Sequence, residues 1–407
     1  MSLLGNISYN KYDTFIVLLI GGLAFGCLGG ALQVSRLIGI ILLPYALKCL
    51  TQRKSSYIKT PTSLVIIALF YIGASLLWSS NIGRGIEEFV YYGVHFLLFL
   101  EIIAFSQRST NPYMNVAIGW LIAFLLTAIV AFWELHTGQH LTSSVHDEIT
   151  MSQGNGIVLD FKFAAATFTN YNDYETFMCY CFPFLIFLLN NVRTKIHKAG
   201  MICTIIVLLY IIINNASRGA IVSVSIMLIV NFFCRSRNLK GFIKVLIISL
   251  MGFALFAYVF RDVFVNILFR LGNTTMFEGN SRTEIWDRGF ECLNGTSFMG
   301  TGVGGLYDTM ALYSSGGDVI ALHNMFMELL VTFGLLLFGL FAVSLISMCK
   351  RSLSTPTYLK HTLLCIIFPM PFYFIINSTY LLSPSLFLFM ASFYVFAYGS
   401  KYIQVNN

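Results

Sequence analysis

Apolar runs recur along nearly the whole chain, separated by short breaks in which lysine, arginine, glycine or serine gather. As helices, runs of roughly 15–25 residues are long enough to cross a hydrocarbon layer with some tilt. The pattern predicts twelve such helices, at about 14–30, 31–50, 63–78, 89–105, 114–133, 174–190, 200–214, 220–234, 242–260, 324–348, 363–378 and 386–400. The expected fold is all-α and polytopic, one integral membrane domain over residues 1–407.

Two long polar intervals break the series, 134–173 and 261–323, and the second holds the chain's most unusual chemistry. Ser281 followed three residues later by Glu284 is a capping box, which starts a helix with Arg282 in its first turn. A helix N-terminus carries partial positive charge, so an arginine there is disfavoured by about 0.3–1 kcal/mol unless an anion lies between them. The same Ser-Arg start recurs at Ser217-Arg218-Gly219, where Ser217 is placed to cap the next membrane helix. Free backbone N–H groups together with a guanidinium fork make a phosphate or diphosphate site. Arginines at membrane helix ends also snorkel to headgroups, but the recurrence of the pattern favours function.

Composition agrees with a membrane protein: 57% of the 407 residues are hydrophobic and 11% charged, with a mean hydropathy of +0.77. The net charge of +7 points to cytoplasmic loops rather than to nucleic acid. When 51–62 is set in the cytoplasm and the sides alternate, 17 basic residues fall on that side and seven on the other, with Arg36 inside the second helix. Both termini are then cytoplasmic, while 134–173 and 261–323 are exterior loops, the larger one expected to hold short helices and the catalytic chemistry. No cleavage motif follows the first apolar run, so the first helix is expected to stay. Of nine cysteines only Cys292 lies in a polar loop, and Cys179-Tyr180-Cys181 has neither metal nor redox spacing. A transporter is disfavoured because no internal repeat appears and few charges lie deep in helices, chiefly Arg36 and Glu101.

Gly300-Thr301-Gly302-Val303-Gly304-Gly305 lacks the strand that a nucleotide-binding loop requires and reads as a tight turn before a short helix near Leu306. His323 sits where the exterior interval meets an apolar run, and its ordinary pKa near 6.5 suits a base for a sugar hydroxyl. A lone histidine also caps or packs, and the arginines are what favour catalysis. Thr169-Asn170-Tyr171-Asn172-Asp173 is rich in groups that bind carbohydrate or cap helices, with Asn172 or Asp173 the expected N-cap. Trp286 stacks on sugar or shields Arg282, and Trp133 fits an interfacial belt. Glu284 and Arg288 stand at ion-pair spacing on one helix.

Ser-Arg-Gly opening a membrane helix, Ser-Arg-x-x-x-Trp and Gly-x-Gly in a large exterior loop, and His-Asn before a helix containing Phe333-Gly334-Leu335 together resemble the O-antigen ligase and polymerase superfamily of bacterial envelope glycosyltransferases. Leu77-Trp78-Ser79 and Thr137-Gly138 extend the resemblance over nearly the whole chain, and its strongest motifs lie from Asn214 to Gly334. It implies a GT-C-like fold in the bacterial inner membrane with a periplasmic active site. It also implies transfer of a glycan from an undecaprenyl-diphosphate carrier to an acceptor hydroxyl, inverting, without metal, cofactor or nucleotide sugar. Arg218 and Arg282 look like the arginines that hold the diphosphate, and His323 like the histidine beside the acceptor hydroxyl. Arg36, Arg288, Trp286, Asn170, Asn172, Asp173 and Asn324 are the candidate substrate-binding residues around them. Tyr171 departs from the family pattern, standing where many relatives have proline. The expected partners are the lipid-linked oligosaccharide, an acceptor glycan or lipid A core, membrane lipids and a chain-length regulator protein. A polymerase that extends a lipid-linked glycan is preferred, with a ligase to lipid A core and a lipid-linked glycan transporter as alternatives.

Overall fold

Helix α6 (Tyr171–Asn191) lies inside the protein: every residue from Tyr174 to Leu188 is buried. Because other helices surround it, it can carry Glu175, Thr176 and Tyr180, which lipid would reject. Helices α5 (Pro112–Thr137) and α14 (Pro384–Tyr402) pack around it in a shared aromatic core. Trp120 stacks on Phe184 with ring centroids 5.5 Å apart, and Tyr180 stacks on Phe389 at 4.2 Å. The Trp120 indole N–H donates to Ser392 at 3.0 Å, so the largest buried ring keeps no unpaired polar atom.

The computed structural model describes residues 10–52, 55–142, 150–152, 158–160, 162–235, 282–313, 321–377 and 379–402. The remaining helices are α1 (Lys11–Gly21), α2 (Val34–Gln52), α3 (Ser56–Ser75), α4 (Ile82–Ser106), α7 (Lys195–Asn215) and α8 (Arg218–Arg235). After these come α9 (Arg282–Gly295), α10 (Leu306–Leu312), α11 (Met325–Leu353), α12 (Thr357–Ile367) and the single turn α13 (Met370–Tyr373). A three-residue antiparallel pair, Thr150–Ser152 with Val158–Asp160, completes the described elements. Seven of the described helices, α2, α3, α4, α5, α7, α8 and α11, are long and apolar enough to span a bilayer, so the polytopic helical class holds. The span expected at 242–260 and the Ser281 cap lie outside the described residues.

Two expected spans are revised. The run expected as a helix over 14–30 leaves the α-helical path at Gly21 and continues as 3-10 turns over Gly22–Phe25 and Gly30–Leu32. Gly26 turns there with φ +46, and its backbone lies against Thr167, where a Cβ would stand 2.3 Å from the Thr167 carbonyl oxygen. The run expected over 363–378 breaks into α12 and α13, followed by an irregular connection to α14. Pro369 and Pro371 remove two helical donors, and Asn377 and Thr379 close their own turn: the Asn377 side chain accepts from Thr379 N–H at 3.2 Å and donates to the Thr379 carbonyl at 3.1 Å.

Candidate active site

His323 is held in the left-handed region, φ +48, a conformation that is costly for a residue with a Cβ. Its neighbours impose that conformation from both sides. The Trp286 indole N–H donates to the Leu322 carbonyl at 2.9 Å, and the Met325 N–H donates to the Phe374 carbonyl at 2.9 Å. Asn324 N-caps α11, accepting from Phe326 N–H at 3.0 Å and Met327 N–H at 3.3 Å. Trp286 and Asn324 thus spend their polar atoms on placing the histidine backbone. The ring is half-buried, and its Nδ1 is buried without a partner. Burial lowers the His323 pKa below the ordinary value, and the charge of Arg282 lowers it further.

The α13–α14 connection runs alongside. Buried Glu328 accepts from Tyr380 N–H at 2.7 Å and Leu381 N–H at 3.1 Å. The buried Tyr380 hydroxyl accepts from Ile376 N–H at 2.7 Å and Asn377 N–H at 2.8 Å, and donates to the Tyr373 carbonyl at 2.8 Å. Irregular backbone this deep needs such partners, because each buried N–H left unpaired costs about 1–3 kcal/mol. The pinned connection then receives Arg282, whose Nη1 donates to the Ile375 carbonyl at 2.7 Å.

Arg282 and Arg218 each occupy the first position of a helix, α9 and α8. They stand close enough to influence each other. Although Arg282 is solvent-accessible, displaced water lowers its pKa from the ordinary arginine value, Tyr380 and Tyr171 oppose the shift, and Arg218 adds to it. Arg84 pairs with Glu88 at 2.8 Å and Arg288 with Glu284 at 2.8 Å. Among the described residues neither Arg218 nor Arg282 has a carboxylate within ion-pair distance.

The other candidates fall in two places. Asn170 is the N-cap of α6, its side chain accepting from Asp173 N–H at 2.9 Å, so the cap lies upstream of the expected Asn172 or Asp173. This brings Tyr171 within electrostatic reach of Arg282, and Asp173, whose Oδ1 has no partner, beside Asn377. Asn172 is half-buried in the same turn. Arg36 lies further along, buried in the first turn of α2, with its Nη2 3.4 Å from the Leu382 carbonyl. Arg36 and Arg282 thus touch opposite ends of one connection.

The glycine run is a buried strap between α9 and α10. Its amides go to protein acceptors: Thr301 to Val331 and Gly302 to Thr332, both at 2.9 Å, and Val303 to Ser75 and Gly304 to Glu88, both at 3.0 Å. Gly304, φ +77, presses on Gly85 so closely that a Cβ would lie 2.3 Å from its nitrogen. Trp78 donates to the Gly300 carbonyl at 3.2 Å, and Gly334, φ +70, kinks α11 to meet Phe298. The distant motifs at Trp78, Gly300–Gly305 and Gly334 therefore form one scaffold.

Sequence reading missed Tyr380, Glu328 and Asn377. The polar Asn377-Ser378-Thr379 run inside an apolar stretch, with Pro369 and Pro371 before it and Pro384 after it, was the available signal.

Residues 203–342 match the family model described as O-Antigen ligase, a stretch that contains Arg218, Arg282, His323, the glycine run and Gly334. The chain is also 23% identical over 290 residues to the teichuronic acid biosynthesis protein TuaE of Bacillus subtilis (strain 168). That match covers 67% of this chain and 57% of the relative's length. Both findings bear out the resemblance read from the motifs.

Proposed function

We propose that this member of the O-antigen ligase and polymerase superfamily is a glycosyltransferase that moves a glycan from a polyprenyl-diphosphate carrier to an acceptor sugar hydroxyl. The observation that carries the reading is the pair Arg218 and Arg282, set at two helix starts and without a carboxylate partner among the described residues, with Arg282 within electrostatic reach of both Arg218 and His323. Two like charges at helix N-termini are stabilised by a diphosphate placed between them. The same groups stabilise the charge that develops on the diphosphate as the anomeric C–O bond breaks. His323 takes the proton of the acceptor hydroxyl as its oxygen bonds to the anomeric carbon, and direct displacement inverts that centre.

The preferred acceptor is a second lipid-linked glycan, which makes the protein a polymerase of a surface polysaccharide. The relative's role in teichuronic acid biosynthesis supports a polysaccharide pathway. The GT-C-like arrangement, the inner-membrane location, cytoplasmic termini, a periplasmic site and a chain-length regulator as partner belong to this proposal. A deletion strain should keep lipid A core bearing a single repeat unit and lose long chains. If the core carries no repeat while long lipid-linked chains accumulate, the protein is the ligase.

A further inference from the structure

Arg36 is 6% exposed, and no carboxylate among the described residues lies within ion-pair distance of it. Its partners are neutral. Nε donates to His95 Nε2 at 3.2 Å, Nη1 to the Ala31 carbonyl at 3.1 Å, and Nη2 to the Leu382 carbonyl at 3.4 Å. Because His95 accepts at Nε2, the ring cannot be a second cation, and its Nδ1 is buried without a partner. The Gln33 side-chain oxygen, next to the start of the same helix, is also buried and unpartnered. Tyr91 covers the guanidinium face at 4.3 Å, its hydroxyl donating to exposed Glu87 at 2.6 Å. Glu87 is thus engaged by the tyrosine and not by the arginine.

Three of the five guanidinium N–H groups go to these neutral partners and Tyr91 adds a polar contact at its face, so the charge has no anionic partner among the described residues. From this geometry we infer that Arg36 forms a second anion site for a lipid-borne phosphate ester, at the Leu382 end of the α13–α14 connection, whereas Arg282 bonds its Ile375 end. The two arginines bond to different points of the connection, Arg282 to Ile375 and Arg36 to Leu382. His323 feels the backbone of Ile376 and Asn377 between them. Resting on the reading that the donor diphosphate sits at Arg218 and Arg282, the second site holds the phosphate of the acceptor's own carrier and brings its terminal sugar toward His323. An acceptor with a phosphate at membrane depth is a lipid-linked glycan. A lipid A core acceptor, whose reacting sugar lies far from its phosphates, would leave Arg36 unused.

The test is a calorimetric titration of the full chain in nanodiscs of phosphatidylcholine with geranyl diphosphate. Two equivalents should bind per chain. Arg36→Gln, and Arg36→Lys as the variant that keeps the charge and so protects folding, should each remove one equivalent or weaken it at least tenfold. Arg282→Gln should remove the other. A wild-type stoichiometry of one that Arg36→Lys leaves unchanged overturns the inference. Loss of the Arg36-dependent equivalent with no effect of Arg218→Gln or Arg282→Gln keeps the second site and overturns the donor reading instead. Adding phosphatidylglycerol separates the sources of the phosphate. Displacement of the Arg36-dependent equivalent assigns the site to bulk headgroups and overturns the acceptor role, and no displacement supports the carrier.

Discussion

The Arg282 guanidinium donates to the Ile375 carbonyl at 2.7 Å across 93 residues of chain. That bond ties the start of α9 to the connection that Glu328 and Tyr380 pin, so the orientation of the arginine depends on residues that touch no substrate.

Lysine at position 282 keeps the charge, but its single ammonium cannot serve Ile375 and a bidentate anion together. Arg282→Lys and Arg218→Lys should each lower transfer from a lipid-linked donor by about 10²-fold, on the scale of losing one oriented charge-stabilising donor, with normal expression. Near-full activity in both variants would return these arginines to snorkelling.

Tyr380→Phe removes the hydroxyl that accepts from Ile376 and Asn377, leaving two buried N–H groups unpaired. Thermal unfolding in detergent should show a loss of about 2–6 kcal/mol for the two groups, and activity should fall further than stability because Ile375 and Arg282 move with the connection. If activity tracks folded fraction alone, Tyr380 only supports the fold.

His323 has its pKa lowered by burial first and by Arg282 second. A base must be neutral, so a lowered pKa keeps it competent below about pH 6.5, the ordinary histidine value. Carbethoxylation of the His323 peptide followed against pH should therefore titrate below that value. Arg282→Gln removes a cation, which raises the pKa and should move the titration to higher pH. An unchanged titration would show that the two side chains do not share a site.

Gly334→Ala places a Cβ 2.3 Å from the Phe298 carbonyl oxygen at φ +70. The clash involves backbone on both sides, so a loss of about 1–3 kcal/mol is expected. Limited proteolysis should then cut within 296–305 far faster than in the wild type. Unchanged cleavage would mean that the strap is held without the kink.

Much of this protein is written locally in its chain. Apolar length placed the seven spanning helices among the described residues to within about seven residues at either end, because a helix in lipid must be long and apolar whatever surrounds it. Glu284 and Arg288 were legible as a pair because helical spacing alone brings them together, and Arg218, Arg282 and His323 stood out as polar groups interrupting apolar runs. What the tertiary structure decided lies in partners far apart in sequence. Trp286 reaches Leu322, Glu328 reaches Tyr380, and the glycine run gives its amides to α3, α4 and α11. No periodicity encodes those bonds. They arise because backbone buried without regular structure must find acceptors and donors wherever packing supplies them, and in doing so it broke the run expected over 363–378 and set the resulting connection between two arginines.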